Sequence, residues 1–141
     1  METAEKTVIT VEATINAPIK KVWDYWTKLE HITKWSFASD DWHTPTASND
    51  LRVGGSFSSR MEAKDGSMGF DFGGVYDAVE EHRYIEYTLG DNRKVNINFT
   101  ADEDKTQLIE SFEAEDTNSK EMQQGGWQTI LYNFKKYTET N

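Results

Sequence analysis

The sequence predicts an α+β fold in which a curved antiparallel sheet wraps around one long C-terminal helix. Between Leu51 and Ala114, apolar residues recur at every second position in successive segments that only short turns separate. After Asn118 the apolar spacing changes to threes and fours, and this helix is the only long element left to cover the apolar face of the sheet. A chain of 141 residues is expected to form a single domain over residues 1–141.

The chain is expected to begin with a strand and two short helices. From Thr7 to Ile15 apolar and polar residues alternate, which is typical of a half-buried strand. Pro18 follows where the first turn of a helix tolerates proline. Thr27-Lys28 is expected to divide the next segment into two helices. Its apolar residues at helical spacing are Val22, Trp23, Trp26, Leu29, Ile32 and Trp35.

A loop and a meander of strands are predicted next. Residues 36–50 are rich in Asp, Ser, Thr and Pro and predict a loop. At least five strands follow, and the short turns between them make the sheet antiparallel. The predicted turns are Lys64-Asp65-Gly66, Glu80-Glu81-His82, Gly90-Asp91-Asn92 and Asp102-Glu103-Asp104.

The final helix carries a pair of glycines near its start. Asn118 and Glu121 are expected to cap this helix, and its apolar stripe is Trp127, Ile130, Leu131, Phe134 and Tyr137. Each glycine of Gly125-Gly126 destabilises a helix by about 0.8–1 kcal/mol relative to alanine. Two explanations remain open: close packing of the backbone, or missing side-chain volume that leaves a hollow beside Trp127.

Composition excludes several classes of function. The net charge is −10, from 15 basic and 25 acidic side chains, and such a surface repels nucleic acids and anionic membranes. The chain has no cysteine and no apolar run that could span a bilayer, so we expect a cytoplasmic protein. His31, His43 and His82 have no neighbours that suggest a hydrolytic triad. Neither a metal nor a cofactor is expected.

The order of elements and several short motifs resemble one family of proteins. The motifs are Ala17-Pro18 before Val22-Trp23, Trp35, the segment DLRVGGSF at 50–57, Gly74-Val75-Tyr76, and EMQQGGW at 121–127. Together they resemble the activator of heat-shock protein 90 ATPase homologue family, within the START-like, Bet v-allergen-like superfamily. The resemblance extends from about Thr7 to Tyr137. It implies the helix-grip fold, in which about seven strands grip the last helix and leave a cavity beside it.

The cavity implied by this resemblance is the candidate binding site. Its walls would come from the apolar faces of the sheet and of the final helix, and from tryptophans of the short helices. The predicted ligand-binding residues are Trp26, Trp35, Phe57, Met61, Phe70, Phe72, Tyr76, Tyr87, Phe99, Glu110, Phe112, Trp127 and Leu131. No catalytic residue is assigned among them.

Glu110 is the polar exception on an apolar strand face. It shares its alternating face with Leu108 and Phe112, so a regular strand would direct it into the cavity, where its pKa should rise. The alternatives are a bulge that turns the side chain to solvent, or pairing with an arginine. The candidate arginines are Arg60, Arg83 and Arg93.

Three functions are compatible with these patterns. The leading hypothesis is that the protein binds an apolar, lipid-like or aromatic small molecule in the cytoplasm, with Tyr76, Tyr87 and Glu110 orienting it. The resemblance also admits an enzyme of cyclase or dehydratase type, in which Glu110 would be the acid or base. A chaperone partner, implied by the family, is the lesser alternative, because family members that activate the chaperone carry an additional N-terminal domain. The oligomeric state is not predicted.

Overall fold

One antiparallel sheet and three helices make up the fold of the computed structural model, which describes residues 7–37 and 39–141. Within these residues, seven strands lie in the order β1-β7-β6-β5-β4-β3-β2. The elements are β1 Val8–Ile15, α1 Ile19–Thr27, α2 Leu29–Trp35, β2 Trp42–Asn49, β3 Ser56–Ala63, β4 Gly69–Glu80, β5 Tyr84–Leu89, β6 Lys94–Asp102, β7 Lys105–Glu113 and α3 Lys120–Thr140. The predicted α+β helix-grip architecture is confirmed.

Local sequence explains the break between the two short helices. Pro18 precedes the first residue of α1, a position where its missing N–H group leaves no helical hydrogen bond unmade. Lys28 has extended backbone angles, φ −85° and ψ 135°, and separates α1 from α2. The predicted division at Thr27-Lys28 is therefore confirmed.

The segment predicted as a loop contains a strand. β2 occupies most of residues 36–50 and pairs with β3, with a register shift between His43 and Thr46. Pro45 lies at that shift. Because β2 is an edge strand, it tolerates a proline and lacks the clear alternation of a strand with one fully buried face. Ala38, which also belongs to this segment, lies outside the described residues.

The N-terminus of α3 differs by one residue from the prediction. Ser119 is the N-cap, and its hydroxyl oxygen accepts a hydrogen bond from the backbone N–H of Met122 at 3.2 Å. Asn118 instead donates its backbone and side-chain N–H groups to the carboxylate of Glu115. A serine in extended conformation at this position satisfies an N–H group that the helix itself leaves free.

The core lies between the concave face of the sheet and one side of α3. β1 contributes Ile9, Val11, Ala13 and Ile15 at alternate positions, all of them buried. Leu131 and Phe134 of α3 are fully buried against the sheet and the short helices. None of the described helices is both long and apolar enough to cross a membrane.

Polar side chains of α3 bind the backbone of edge strand β1. Gln124, Gln128 and Lys135 donate hydrogen bonds to the carbonyl oxygens of Thr10, Glu12 and Thr14, at 3.4, 3.0 and 2.6 Å. Near the end of the strand, Glu139 accepts a hydrogen bond from the backbone N–H of Asn16 at 2.7 Å. The C-terminal helix thus covers the apolar face of the sheet and also occupies backbone groups along one of its edges.

Candidate functional site

A cavity of about 410 Å³ lies between the sheet, the short helices and the N-terminal half of α3. It is lined by side chains from both short helices, from β2 to β5, from β7 and from α3. Residues predicted from the sequence that line it are Trp26, Trp35, Phe57, Met61, Phe70, Phe72, Tyr76, Tyr87, Glu110 and Trp127. Cavities of this size are typical of small-molecule sites.

Phe99, Phe112 and Leu131 do not line the cavity and lie in the packed core. The ring of Phe112 is stacked behind Trp127, with centroids 3.9 Å apart. Phe99 packs edge-on against Trp23 at 5.0 Å. Periodicity identifies the face on which a side chain lies, but it does not separate the filled half of that face from the open half. These three residues support the walls and do not form them.

Several residues that line the cavity were not predicted from the sequence. Ser48 and Asn49 belong to β2, the strand predicted as a loop, so no alternating pattern pointed to them. Ser59 carried a signal, because it alternates with Phe57 and Met61 on the inward face of β3. The lining residues outside the predicted set are Ile32, Ser36, Ser48, Asn49, Ser59, Ile85, Arg93, Glu115, Asn118, Met122, Gln123 and Ile130, together with Gly126, for which a hollow beside Trp127 was one of the two explanations left open.

Aromatic rings form much of the wall. Phe57 contacts the rings of Tyr76 and Tyr87, with centroids 5.2 and 4.7 Å apart. Trp127 of α3 packs against Phe72 of β4, with ring centroids 6.0 Å apart. Such rings offer large apolar areas and few rotatable bonds, and their faces also attract cations.

Glu110 is a buried carboxyl group in this wall. It lies in the regular part of β7, between Val11 of β1 and Ile97 of β6, and only 5% of its surface is exposed. No bulge turns it outward. The three arginines considered as partners bind other acids: Arg60 binds Glu62 and Asp71, Arg83 binds Glu80, and Arg93 binds Asp91.

Burial determines the protonation of Glu110. No hydrogen bond from any described residue reaches its carboxyl group. Loss of hydration without a compensating partner raises the pKa of Glu110 to about 8. The group is therefore mainly neutral at neutral pH, and it is both a donor and an acceptor of hydrogen bonds.

Two tyrosines add hydroxyl groups to the wall. Burial raises the pKa of Tyr87 well above its usual value, and the nearby Glu110 adds to this effect. The hydroxyl of Tyr76 donates to Oδ1 of Asn49 at 2.5 Å, and Nδ2 of Asn49 donates to the carbonyl of Thr27 at 2.8 Å. Tyr76 is thus fixed in orientation, with its oxygen still able to accept a hydrogen bond.

The glycine pair of α3 does not serve close packing. A Cβ atom built on Gly125 or Gly126 would meet no atom within 4 Å outside the adjacent helix backbone. Gly126 lines the cavity, whereas Gly125 is exposed on the outside of the helix. Missing side-chain volume beside Trp127 is the explanation that fits Gly126.

Known proteins share both the sequence pattern and the fold. The family model "Activator of Hsp90 ATPase homolog 1-like protein" matches residues 16–139. An AHSA1-like protein from Aeromonas hydrophila is 42% identical, with 95% of this chain and 93% of that chain covered and a TM-score of 0.90. Chr148 from Cytophaga hutchinsonii is 59% identical, with 94% and 92% covered and a TM-score of 0.82.

Protein CV1439 from Chromobacterium violaceum, at 20% identity, shares the fold alone, with a TM-score of 0.83 and with 96% and 99% of the two chains covered. Among curated proteins, none matches this chain. The resemblance inferred from the motifs is confirmed by the family match and by the two relatives above 40% identity. The chain belongs to the family of Activator of Hsp90 ATPase homolog 1-like proteins.

Proposed function

We propose that the protein binds an apolar small molecule, aromatic or lipid-like, in the cavity between the sheet and α3. The observation that supports this most is the cavity itself: about 410 Å³ with aromatic walls, beside an otherwise densely packed core. Aromatic surface that stays unpacked beside such a core forgoes contacts that would stabilise the fold, and a bound ligand would supply them. The proposed setting is the cytoplasm.

The chemistry of the wall indicates how such a ligand would be held. Burying apolar surface stabilises a complex by roughly 25 cal/mol per Å², which favours a ligand that fills the space between Phe57 and Trp127. Polar groups in a mostly apolar pocket fix orientation more than they add affinity. The hydroxyls of Tyr76 and Tyr87 and the carboxyl group of Glu110 are the proposed orienting groups.

A titration of the ¹⁵N-labelled protein with flat phenolic and fatty molecules tests this proposal. The indole N–H of Trp127, at the cavity wall, is expected to shift on binding. The indole of Trp23 is the internal reference, because this residue is buried in the core away from the cavity. If no ligand class shifts the Trp127 signal more than the Trp23 signal, the proposed function is wrong.

Glu110 also supports a second candidate function, catalysis of the cyclase or dehydratase type. A buried carboxyl group with a pKa of about 8 can take up and release a proton near neutral pH. The variant Glu110→Gln separates the two functions. Retained binding with lost turnover indicates catalysis by Glu110, whereas a replacement that affects neither binding nor turnover indicates that the residue has only a structural role.

The description of the family also suggests a chaperone partner. An acidic surface with a net charge of −10 would meet a basic partner with strong salt dependence. Capture of a purified chaperone at low salt that is lost at high salt would support this third candidate. A complex that resists salt would need an apolar interface instead.

A further inference from the structure

The carboxyl group of Glu110 requires an explanation that an apolar ligand alone does not supply. A hydroxyl or carbonyl group on a ligand can be bound by a serine, threonine or asparagine side chain, whose burial is less unfavourable than that of a carboxyl group. A carboxylate differs from these in carrying a full negative charge. The particular advantage of a carboxylate in an apolar wall is therefore that it can neutralise a positive charge. No described residue of this structure places such a positive charge against Glu110.

None of the charged groups among the described lining residues pairs with the carboxyl group of Glu110. Arg93, the one basic residue among the described lining residues, is bound to Asp91 at 2.7 Å and lies 3.5 Å from the carbonyl of Glu113. Its charge acts on Tyr87, whereas burial is the cause of the raised pKa of Glu110. The second acid of the lining, Glu115, accepts hydrogen bonds from Asn118.

The remaining surfaces of the cavity also favour a cation. Tyr76 and Tyr87 are the titratable groups that β4 and β5 contribute, and α3 contributes none to the described lining. The faces of Phe57, Tyr87 and Trp127 attract positive charge through the ring quadrupole. Over the whole chain, acidic side chains outnumber basic ones by 25 to 15, so the overall charge attracts cations and repels anions.

We infer that the ligand is an apolar molecule with a protonated nitrogen, which forms an ion pair with Glu110 while its rings or chain contact the aromatic wall. This inference rests on the proposed function, because it specifies the chemistry of a ligand in the same cavity. On binding, the proton of the neutral Glu110 passes to solvent and the carboxylate pairs with the ammonium group. The number of charges in the cavity then increases, but their sum remains zero.

Three probes that differ in one substituent test this inference. They are 2-naphthylmethylamine, 2-naphthylmethanol and 2-naphthoate, which present a cation, a neutral hydroxyl and an anion on the same ring. Calorimetric titration of the wild-type protein at neutral pH is expected to give an affinity for the amine about tenfold higher than for the alcohol, with the carboxylate weakest. In buffers of different ionisation enthalpy, the amine should release close to one proton and the alcohol none.

Two variants locate the effect. Glu110→Gln keeps the shape of the side chain and is expected to weaken amine binding about tenfold while changing alcohol binding by less than about twofold. Glu12→Gln, on the exposed face of β1 and away from the cavity, is the matched control, and the amine-to-alcohol ratio should stay as in the wild type. Circular dichroism of each variant verifies the fold, and the wild-type comparison stands without any variant.

The outcomes separate the inference from the proposed function. Equal wild-type affinities for the amine and the alcohol, or an unchanged ratio in a folded Glu110→Gln variant, overturn the inference while the proposed function stands. If none of the three probes binds or shifts the Trp127 indole signal, the result counts against the proposed function and, with it, the inference. Preferential binding of the amine with proton release supports both.

Discussion

Two threonines in the core differ in whether their hydroxyl group has a hydrogen-bond partner. Both side chains are fully buried. Thr106 Oγ1 donates to the carbonyl oxygen of Ala17 at 2.9 Å, whereas Thr138 Oγ1 has no partner among the described residues. A buried polar atom without a partner loses its hydration and gains nothing in exchange.

Replacement of each threonine by valine should therefore have opposite effects on stability. Thr138→Val is expected to raise the free energy of unfolding by about 1 kcal/mol, because it removes an unsatisfied group at nearly constant volume. Thr106→Val should lower it by about 1–3 kcal/mol, because the carbonyl of Ala17 loses its donor. Urea denaturation of the two variants and the wild type measures both changes. Destabilisation by Thr138→Val would reveal a hydrogen bond at Thr138.

The raised pKa of Glu110 should make the free energy of unfolding depend on pH. The pKa of this group rises from 4.5 to about 8 on folding. A group whose pKa is raised contributes stability that is complete below the lower value and is lost as the pH rises through the upper one. For this shift the loss amounts to about 5 kcal/mol in total.

Glu110→Gln removes this pH-dependent contribution to the free energy of unfolding. The stability of the variant relative to the wild type should therefore increase between pH 4.5 and 8 and then level off. The lowered pKa values of Asp65, Asp91 and Glu139 act at the acidic end and cancel in the difference between the two proteins. Urea denaturation across this range gives the two curves. Parallel curves would show that Glu110 is hydrated or paired in the folded state.

Much of the candidate site could be predicted from alternation and helical spacing, because side chains that share a face of the sheet enter the same interior. Glu110 was identifiable in this way, as a polar residue in an apolar series. The boundary between core and cavity could not be predicted from alternation. It depends on how the rings of Trp23, Trp26 and Phe134 fill one half of the interior. Long-range contacts of this kind leave no local pattern.

At the level of elements, the two glycines of α3 provide an internal comparison. They are adjacent in a helix, both have open space at the Cβ position, and one of the two lines the cavity. Substitution of either by alanine should stabilise the helix by about 0.8–1 kcal/mol, measured by thermal unfolding. This expectation depends on helix propensity alone.

Leucine at the same two positions should distinguish an effect on ligand binding from an effect on helix stability. Gly126→Leu places a large side chain in the space beside Trp127 and is expected to weaken binding of 2-naphthylmethanol by about tenfold or more. Gly125→Leu, on the exposed side, should leave that affinity unchanged. Calorimetric titration of both variants gives the comparison. Equal affinities would show that the ligand does not reach Gly126.

The elements that the sequence predicted well are those with one buried face. β1, β3 to β7 and the helices show apolar residues at a regular spacing in the sequence, and most turns between the strands contain Gly, Asn or Asp. β2 was missed because Thr44, Pro45 and Thr46 interrupt any alternation. Pairing with β3 alone holds this strand in the sheet, and such pairing depends on a partner that follows later in the chain.

At the scale of the whole molecule, the acidic excess should make stability depend on salt. The ion pairs Arg52–Asp50, Arg83–Glu80 and Arg93–Asp91 join near neighbours in sequence, and most of these side chains are well exposed. Such pairs contribute little to stability. With a net charge of −10, repulsion between the remaining acids opposes the compact state.

Raising the salt concentration from about 10 to 100 mM shortens the screening length from about 30 to 10 Å, so the melting temperature should increase by a few degrees. Differential scanning calorimetry at several salt concentrations measures this. The double variant Asp102→Asn, Asp104→Asn, which removes two charges from one turn, should show a weaker dependence. A melting temperature that falls with salt would mean that attractive pairs dominate.

The hydrogen bonds between α3 and β1 have a consequence for the protein at high concentration. A free sheet edge is a template on which a second chain can add a strand and begin an aggregate. Here Gln124, Gln128 and Lys135 occupy carbonyl groups along one edge. At the opposite edge, Pro45 lacks the N–H group that an added strand would require. The helix that borders the cavity thus also protects the sheet against intermolecular pairing.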